Sequence, residues 1–275
     1  MPDAPSYAHS SPEPPSRRAP TPDAPTVARA TPPNQLPLPL DLAAGEPRLP
    51  ADLRPMLARS VPRLPDDGRH LYDPSWGGVR VLAYVQEGAV RLVAARGRDL
   101  TARLPEVAAA LATALAAAGP CLLDGELVAP DADGRLDRGA LAARLGRSRS
   151  AERRRAGAAP ASLLVADCLV EGGRSLLARP LSDRRARLAR ILRPSPHVVA
   201  LEPFAGSPGE LLAAARGLGL AAVLAKDRQG PYLPGMRSRL WLRAAASGRP
   251  AAEVAGPVLG GRRPELVALL RLPLG

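Results

Sequence analysis

The chain has 275 residues, 46% apolar but only 3% aromatic, and a formal net charge of +12. That is room for one large domain or two small ones, with a core of Leu, Val and Ala, and the cationic excess favours polyanionic partners, nucleic acid above all. Two isolated cysteines (Cys121, Cys168) and three scattered histidines (His9, His70, His197) argue against a zinc-type cluster. No basic segment followed by an apolar run opens the chain, and the longest apolar stretch, residues 107–118, is too short to cross a bilayer. A soluble, cytoplasmic, nucleoid-associated protein is expected.

Residues 1–48 alternate Pro with Ser, Thr, Asp and Arg; they cannot bury enough apolar surface to offset chain entropy, so a disordered tail is expected. From Pro50 the texture changes. Strands are predicted over 79–85 and 90–94, joined at Glu87-Gly88 as a hairpin, then a helix over 104–118 stopped by Gly119 and Pro120. A strand over 121–129, interrupted at Asp124-Gly125, leads into a turn at 131–134 and a short helix over 139–145. Residues 146–159 are Arg-rich and read as a loop. Residues 162–170 read as a buried strand turning at Glu171-Gly172-Gly173, 182–192 as a helix with four arginines, and 198–202 as a strand. Ser207-Pro208-Gly209-Glu210 is a capping box with Pro at the first helical position, opening a helix that stops at Gly217. Strands over 222–226 and 240–244 complete an α+β fold of antiparallel sheets with packed helices. Residues 251–275 hold one or two strands, too few for a domain.

The order of these landmarks resembles the ATP-dependent DNA ligases of the bacterial end-joining type, from Pro55-Met56-Leu57-Ala58 through about Ala245. The segments that carry the resemblance are LTARLPE at 100–106, LLDGELV at 122–128 and PYLPGMRS at 231–238. It implies an ATP-grasp-like adenylation (nucleotidyltransferase) domain over 49–246, between the tail 1–48 and a remnant of an OB-fold domain over 247–275. Five strands make an OB barrel, and 252–258 with 266–272 resemble only its opening. The resemblance also implies a chemistry. A lysine attacks the α-phosphorus of ATP and becomes lysyl-AMP, AMP passes to a DNA 5′-phosphate, and a 3′-hydroxyl displaces it. Such a step needs an unprotonated amine, a divalent metal and cations that offset phosphate charge.

The motifs are degenerate where that chemistry lies. The family's E-x-K-x-D-G-x-R falls on DPSWGGVR, so Gly78 and Arg80 match, the lysine position is Ser75 and the aspartate position is Gly77. The arginine of S/T-R-x-G becomes Ala95, with Arg96 beside it, and the adenine-stacking aromatic becomes Ala166. Glu126 matches the ribose-holding glutamate. In E-G-[I/V]-V-x-K the metal-binding glutamate is Ala221, while the phosphate-contacting lysine persists as Lys226, the single lysine of the chain. The closing W-x-K-x-K reads Trp241-Leu242-Arg243-Ala244-Ala245. No catalytic set is intact. Arg80, Glu126, Lys226 and Arg243 are the nucleotide contacts if the pocket is retained, and ATP and Mg²⁺ enter only in that case. Three of these have a plainer alternative: Glu126 can end a strand beside a turn, Lys226 can be a strand-end cation, and Arg80 can pair with a carboxylate; Trp241, too, can be core rather than stacking surface.

The expectation is an ATP-dependent DNA ligase-like protein of repair or recombination that has lost catalysis and serves as a DNA-binding or scaffold homologue. Two alternatives stand beside it: a residual nucleotidyltransferase or ligase acting on pre-adenylated nicked DNA, and a nucleotide-free structural partner of an end-joining or repair complex. DNA contacts are expected from Arg147, Arg149, Arg153, Arg154 and Arg155 in the loop and Arg184, Arg185, Arg187 and Arg190 on the helix, against the alternative of a solvated charge run. In the tail, Gln35-Leu36-Pro37-Leu38-Pro39-Leu40 resembles the hexapeptide by which bacterial proteins bind the DNA sliding clamp. There Gln35 would fix register, and Leu36, Leu38 and Leu40 would fill apolar pockets or else anchor the tail on its own core.

Overall fold

The computed structural model describes residues 49–129, 136–146, 160–204 and 206–246. Along them run β1 (Leu57–Ser60), β2 (His70–Ser75), β3 (Val79–Gln86), β4 (Ala89–Ala94), α1 (Pro105–Ala114), β5 (Cys121–Val128), α2 (Arg138–Leu145), β6 (Ser162–Glu171), β7 (Arg174–Ser175), α3 (Leu181–Ile191), β8 (Val198–Ala200), α4 (Pro208–Gly217), β9 (Ala222–Asp227) and β10 (Arg237–Ala245). The strands form two sheets, β1-β10-β9-β2 and β4-β3-β5-β6-β7, with β8 added on β6. Most pairs are antiparallel, as the sequence predicts; β1 on β10 and β8 on β6 are parallel.

Local chemistry explains the elements. The β3–β4 hairpin turns on Glu87 (φ 52°) and Gly88 (φ 79°), the left-handed pair that matches strand twist. The capping box forms in both directions: Glu210 N–H donates to Ser207 Oγ at 3.2 Å and Ser207 N–H donates to Glu210 Oε2 at 3.0 Å. Asp137 caps α2 by accepting the Ala140 N–H at 2.8 Å.

Three expectations are corrected. β5 is continuous through Asp124-Gly125, where the pairing with β6 only shifts register, a bulge rather than a break. α1 stops at Ala114, and the residues that follow close turns, with Ala118 N–H donating to Leu115 O at 2.9 Å. β1 and β2 are absent from the sequence reading. β2 contains Pro74, which reads as a break, but β2 is the edge of its sheet, where a missing N–H costs no ladder bond.

Apolar residues fill two clusters. One lies between the second sheet and α1, α2 and α3, around Val81, Leu111, Leu123, Leu141, Val165 and Leu188. The other packs α4, through Leu211 and Ala215, onto Tyr72, Val223 and Ala225 of the first sheet, with Leu164 and Val199 of the second. Among the described residues no helix is long and apolar enough to cross a membrane. The tail with Gln35, Leu36, Leu38 and Leu40, the turn at 131–134, the loop with Arg147, Arg149, Arg153, Arg154 and Arg155, and segment 247–275 lie outside the described residues.

Candidate functional site

Strand periodicity sorts the polar side chains to one face of each sheet. Antiparallel partners share a face, so β2 and β9 pair Asp73 with Leu224 and Ser75 with Ala222, and β9 and β10 pair Lys226 with Trp241 and Leu224 with Arg243. Asp73, Ser75, Lys226, Trp241 and Arg243 therefore share one face of the first sheet, with α4 packed on the other. In the second sheet β3 and β5 pair Arg80 with Glu126, while Val81 and Ala83 point into the core under α1. These two polar faces meet. The Arg80 guanidinium lies 5.0 Å from the centre of the Trp241 ring, within cation–π range.

Most of the charge in this cleft is sealed and paired. Arg80 forks onto Asp124, Nε to Oδ1 at 2.9 Å and Nη2 to Oδ2 at 2.5 Å, and its Nη1 donates to the Met56 carbonyl. Tyr232 Oη donates to Asp124 Oδ2 at 2.7 Å and accepts the Met56 N–H at 2.9 Å. Lys226 Nζ sits 2.9 Å from Asp73 Oδ2 and 4.2 Å from the Trp241 ring centre. Arg185 Nη2 donates to the same Asp73 oxygen, so two cations crowd onto one atom while Asp73 Oδ1 has no partner among the described residues. Arg184 forks onto Asp167 at 2.8 Å twice, both side chains fully buried.

These pairs set the protonation states. Burial alone raises the Asp73 carboxyl; Arg185 and Lys226 outweigh it and hold it below the ordinary carboxylate range. Burial likewise raises Asp124, and Arg80 more than offsets it. Burial lowers the Lys226 ammonium, with Asp73 opposing. Glu126 goes the other way: burial raises its carboxyl, and hydrogen bonds from backbone N–H groups only partly counter that.

Glu126 has a visible structural task. Its oxygens accept the N–H of Gly78 at 2.6 Å and of Trp76 at 3.2 Å, which fixes the turn after Ser75. Gly78 is required there, because a Cβ would lie 2.0 Å from the Leu127 carbonyl oxygen. Glu126 does not end a strand, since β5 runs on to Val128; it braces a distant turn instead, and Arg80 pairs with the Asp124 carboxylate. Trp241 is buried, against Tyr232 edge-on at 5.6 Å. Arg243 is half-buried on the polar face, and Arg96 is exposed beside the hairpin. Ala166 packs against the second core cluster.

The helix α3 corrects the predicted DNA face. Arg184 and Arg185 point inward to Asp167 and Asp73, since adjacent helical positions turn through about 100° and here each finds its own buried carboxylate. They cannot present charge to a polyanion. Arg187 is half-buried and paired with Glu171 at 2.5 Å, and among the four Arg190 alone is exposed.

Sequence reading missed Arg138. Its guanidinium lies across Gly77 at the end of β2, with Nη2 donating to the carbonyls of Trp76 at 3.0 Å and Gly219 at 3.5 Å. Ala221 closes the same corner, its N–H donating to the Ser75 carbonyl at 3.0 Å. The resemblance implies a divalent metal in this region, and the donor set does not fit one. Ser75, Gly77 and Ala221 offer no carboxylate, and a guanidinium stands among them. No group of three or more His, Cys, Asp or Glu able to hold a metal occurs among the described residues.

The family model described as ATP dependent DNA ligase domain matches residues 55–244. DNA ligase C1 of Mycolicibacterium smegmatis is 37% identical over 191 residues, which cover 67% of this chain and 54% of that protein. A probable DNA ligase of Streptomyces coelicolor is 35% identical over 210 residues, 74% of this chain and 40% of that protein. The chain thus spans about half the length of the curated relatives it matches. Among solved structures, a mycobacterial DNA ligase D complexed with ATP and MES superposes with a TM-score of 0.58 at 30% identity, covering 70% of this chain and 60% of that one. Two α+β layers with their polar faces turned together, the motif order along the strands and these likenesses place the chain in the ATP-dependent DNA ligase family, within its adenylation domain.

Proposed function

We propose that this member is a non-catalytic, ligase-like protein that binds DNA in repair or recombination. The observation that carries the reading is the place of the single lysine. Lys226 pairs across the sheet with Leu71, whereas Ser75 pairs with Ala222. Four strand positions separate the two along the ladder, roughly 13 Å at about 3.3 Å per residue. The only amine side chain therefore cannot stand in for a nucleophile at Ser75, and it is already engaged by Asp73. DNA as partner follows from the relatives, which are named as DNA ligases, and from the net charge of +12.

Incubation with ATP and Mg²⁺ followed by intact-protein and peptide mass spectrometry tests the reading. No AMP adduct is expected, either on the native chain or on Ser75→Lys, because Gly77 and Ala221 remain without carboxylates. An adduct on Lys226 would overturn it. In the same reading the arginines of the 147–155 loop supply salt-dependent DNA contacts, and Gln35, Leu36, Leu38 and Leu40 dock on the sliding clamp. Titration of a 28–46 peptide against the clamp checks the latter; binding no better than that of a peptide with Gln35, Leu36 and Leu40 changed to Ala would remove it.

A further inference from the structure

Arg138 differs from every cation sealed in the cleft. Arg80, Arg184, Arg185 and Lys226 each touch a carboxylate. Arg138 touches two carbonyl oxygens, which orient a guanidinium without neutralising it, and among the described residues no carboxylate reaches it. Nη2 makes both of these contacts, so among the described residues the Nε and Nη1 hydrogens have no partner. The residue is half-buried at the first position of α2, where the Asp137 cap fixes the helix end beneath it.

The corner is shaped around this group. A Cβ on residue 77 would lie 2.6 Å from Arg138 Nη2, 2.9 Å from Nε and 3.0 Å from the Ala221 methyl, so the guanidinium occupies the volume that any side chain at 77 would need. Gly77 also has φ +77°, a conformation that favours glycine on its own account. The Ala221 methyl forms a further wall, and its backbone N–H is tied to the Ser75 carbonyl. Such a corner repels a dication and suits a phosphate, whose oxygens match the planar fork of guanidinium N–H groups.

We propose that Arg138 takes the place of a divalent metal ion at this corner, so that the cleft binds a phosphate group without metal. The phosphate can come from a free nucleotide or from the 5′ end at a DNA nick; only the second source rests on the DNA-binding reading above. The cation is covalently part of the chain, and its position is set by Gly77 and by the Trp76 and Gly219 carbonyls.

The test uses the full chain and two titrations, each in EDTA and in Mg²⁺: ATP, and labelled nicked duplexes bearing either a 5′-phosphate or a 5′-hydroxyl. The phosphorylated nick is expected to bind about tenfold more tightly than the hydroxyl nick, the scale of one charge-assisted contact. EDTA leaves that ratio, and any ATP affinity, unchanged. Arg138→Met abolishes both, and Arg138→Lys keeps part of them. Equal affinity for the two nicks together with no ATP binding overturns the proposal, as does a preference that needs Mg²⁺ or survives Arg138→Met. Where that outcome comes with salt-dependent binding of both nicks, Arg138 is sunk and the DNA reading stays intact; equal nicks with metal-free ATP binding that Arg138→Met abolishes leave the nucleotide as the phosphate source. Failure to bind any DNA sinks the DNA reading, and the ATP arm then decides Arg138 alone. If Arg138→Met does not fold, the EDTA comparison on the native chain carries the test.

Discussion

The sealed part of the cleft and the corner beside Ser75 handle positive charge in opposite ways. In the sealed part, Asp73, Asp124 and Asp167 sit against Arg185, Lys226, Arg80 and Arg184, and the residues of these pairs that lie deepest are almost wholly buried. At the corner, Arg138 meets carbonyls only among the described residues. The difference separates scaffolding from binding capacity. A cation already matched to a buried carboxylate must break that pair before it can meet a ligand, whereas a carbonyl-held guanidinium has its charge still to spend on one.

The largest effect should come from breaking a sealed pair. Asp167→Ala leaves Arg184 charged with no counter-ion in a fully buried place, and is expected to destabilise by about 3–5 kcal/mol. Arg138→Met removes a half-buried group bound to carbonyls, and about 1 kcal/mol is expected. Urea unfolding of the two variants sharpens the contrast; comparable losses would break it.

A smaller effect separates the carboxylates by pH. The folded-state values of Asp73 and Asp124 are depressed, so the stability they add is present above the unfolded-state value of about 3.9 and is lost as pH falls through the folded ones. Glu126 has the opposite sign, since its value is raised. Its contribution is complete below the unfolded-state value of about 4.3 and fades as pH rises through the folded one. The unfolding midpoint should therefore drop on the acid side, and Asp73→Asn should shallow that drop. An acid limb unchanged by Asp73→Asn would show that the sealed pairs do not set it. Glu126→Gln should remove the opposing component.

The smallest change is expected at Arg190, exposed on α3. Arg190→Glu should leave the unfolding midpoint where it is while lowering the slope of log affinity for DNA against log salt by about one. A slope unaltered by Arg190→Glu would take the whole exposed face of α3 out of the DNA surface, since Arg184 and Arg185 already point inward.

What the sequence disclosed follows from the range of the interactions involved. The Glu87-Gly88 hairpin and the Ser207–Glu210 capping box are written within four residues, and both form as read. Strand β2 was hidden because Pro74 signals a break unless the strand is known to be an edge. Arg184 and Arg185 looked like a basic surface because their carboxylates are 17 and 112 residues away in sequence. Glu126 was recognised, but its bonds to the turn at 76–78 span about fifty residues and leave no local pattern. Arg138 gave no signal of its own. The nearest hint was Gly77, a position with no side chain in the middle of a motif, whose missing volume another part of the chain fills.

The enclosure of Lys226 also has an analytical consequence. The chain carries no other amine side chain, and this one is 3% exposed. Acylating reagents such as succinimide esters can reach a lysine in this molecule only while β9 is transiently parted from its neighbours. The rate at which residue 226 is acylated is then a direct readout of how often the centre of the sheet opens, obtained without introducing any probe.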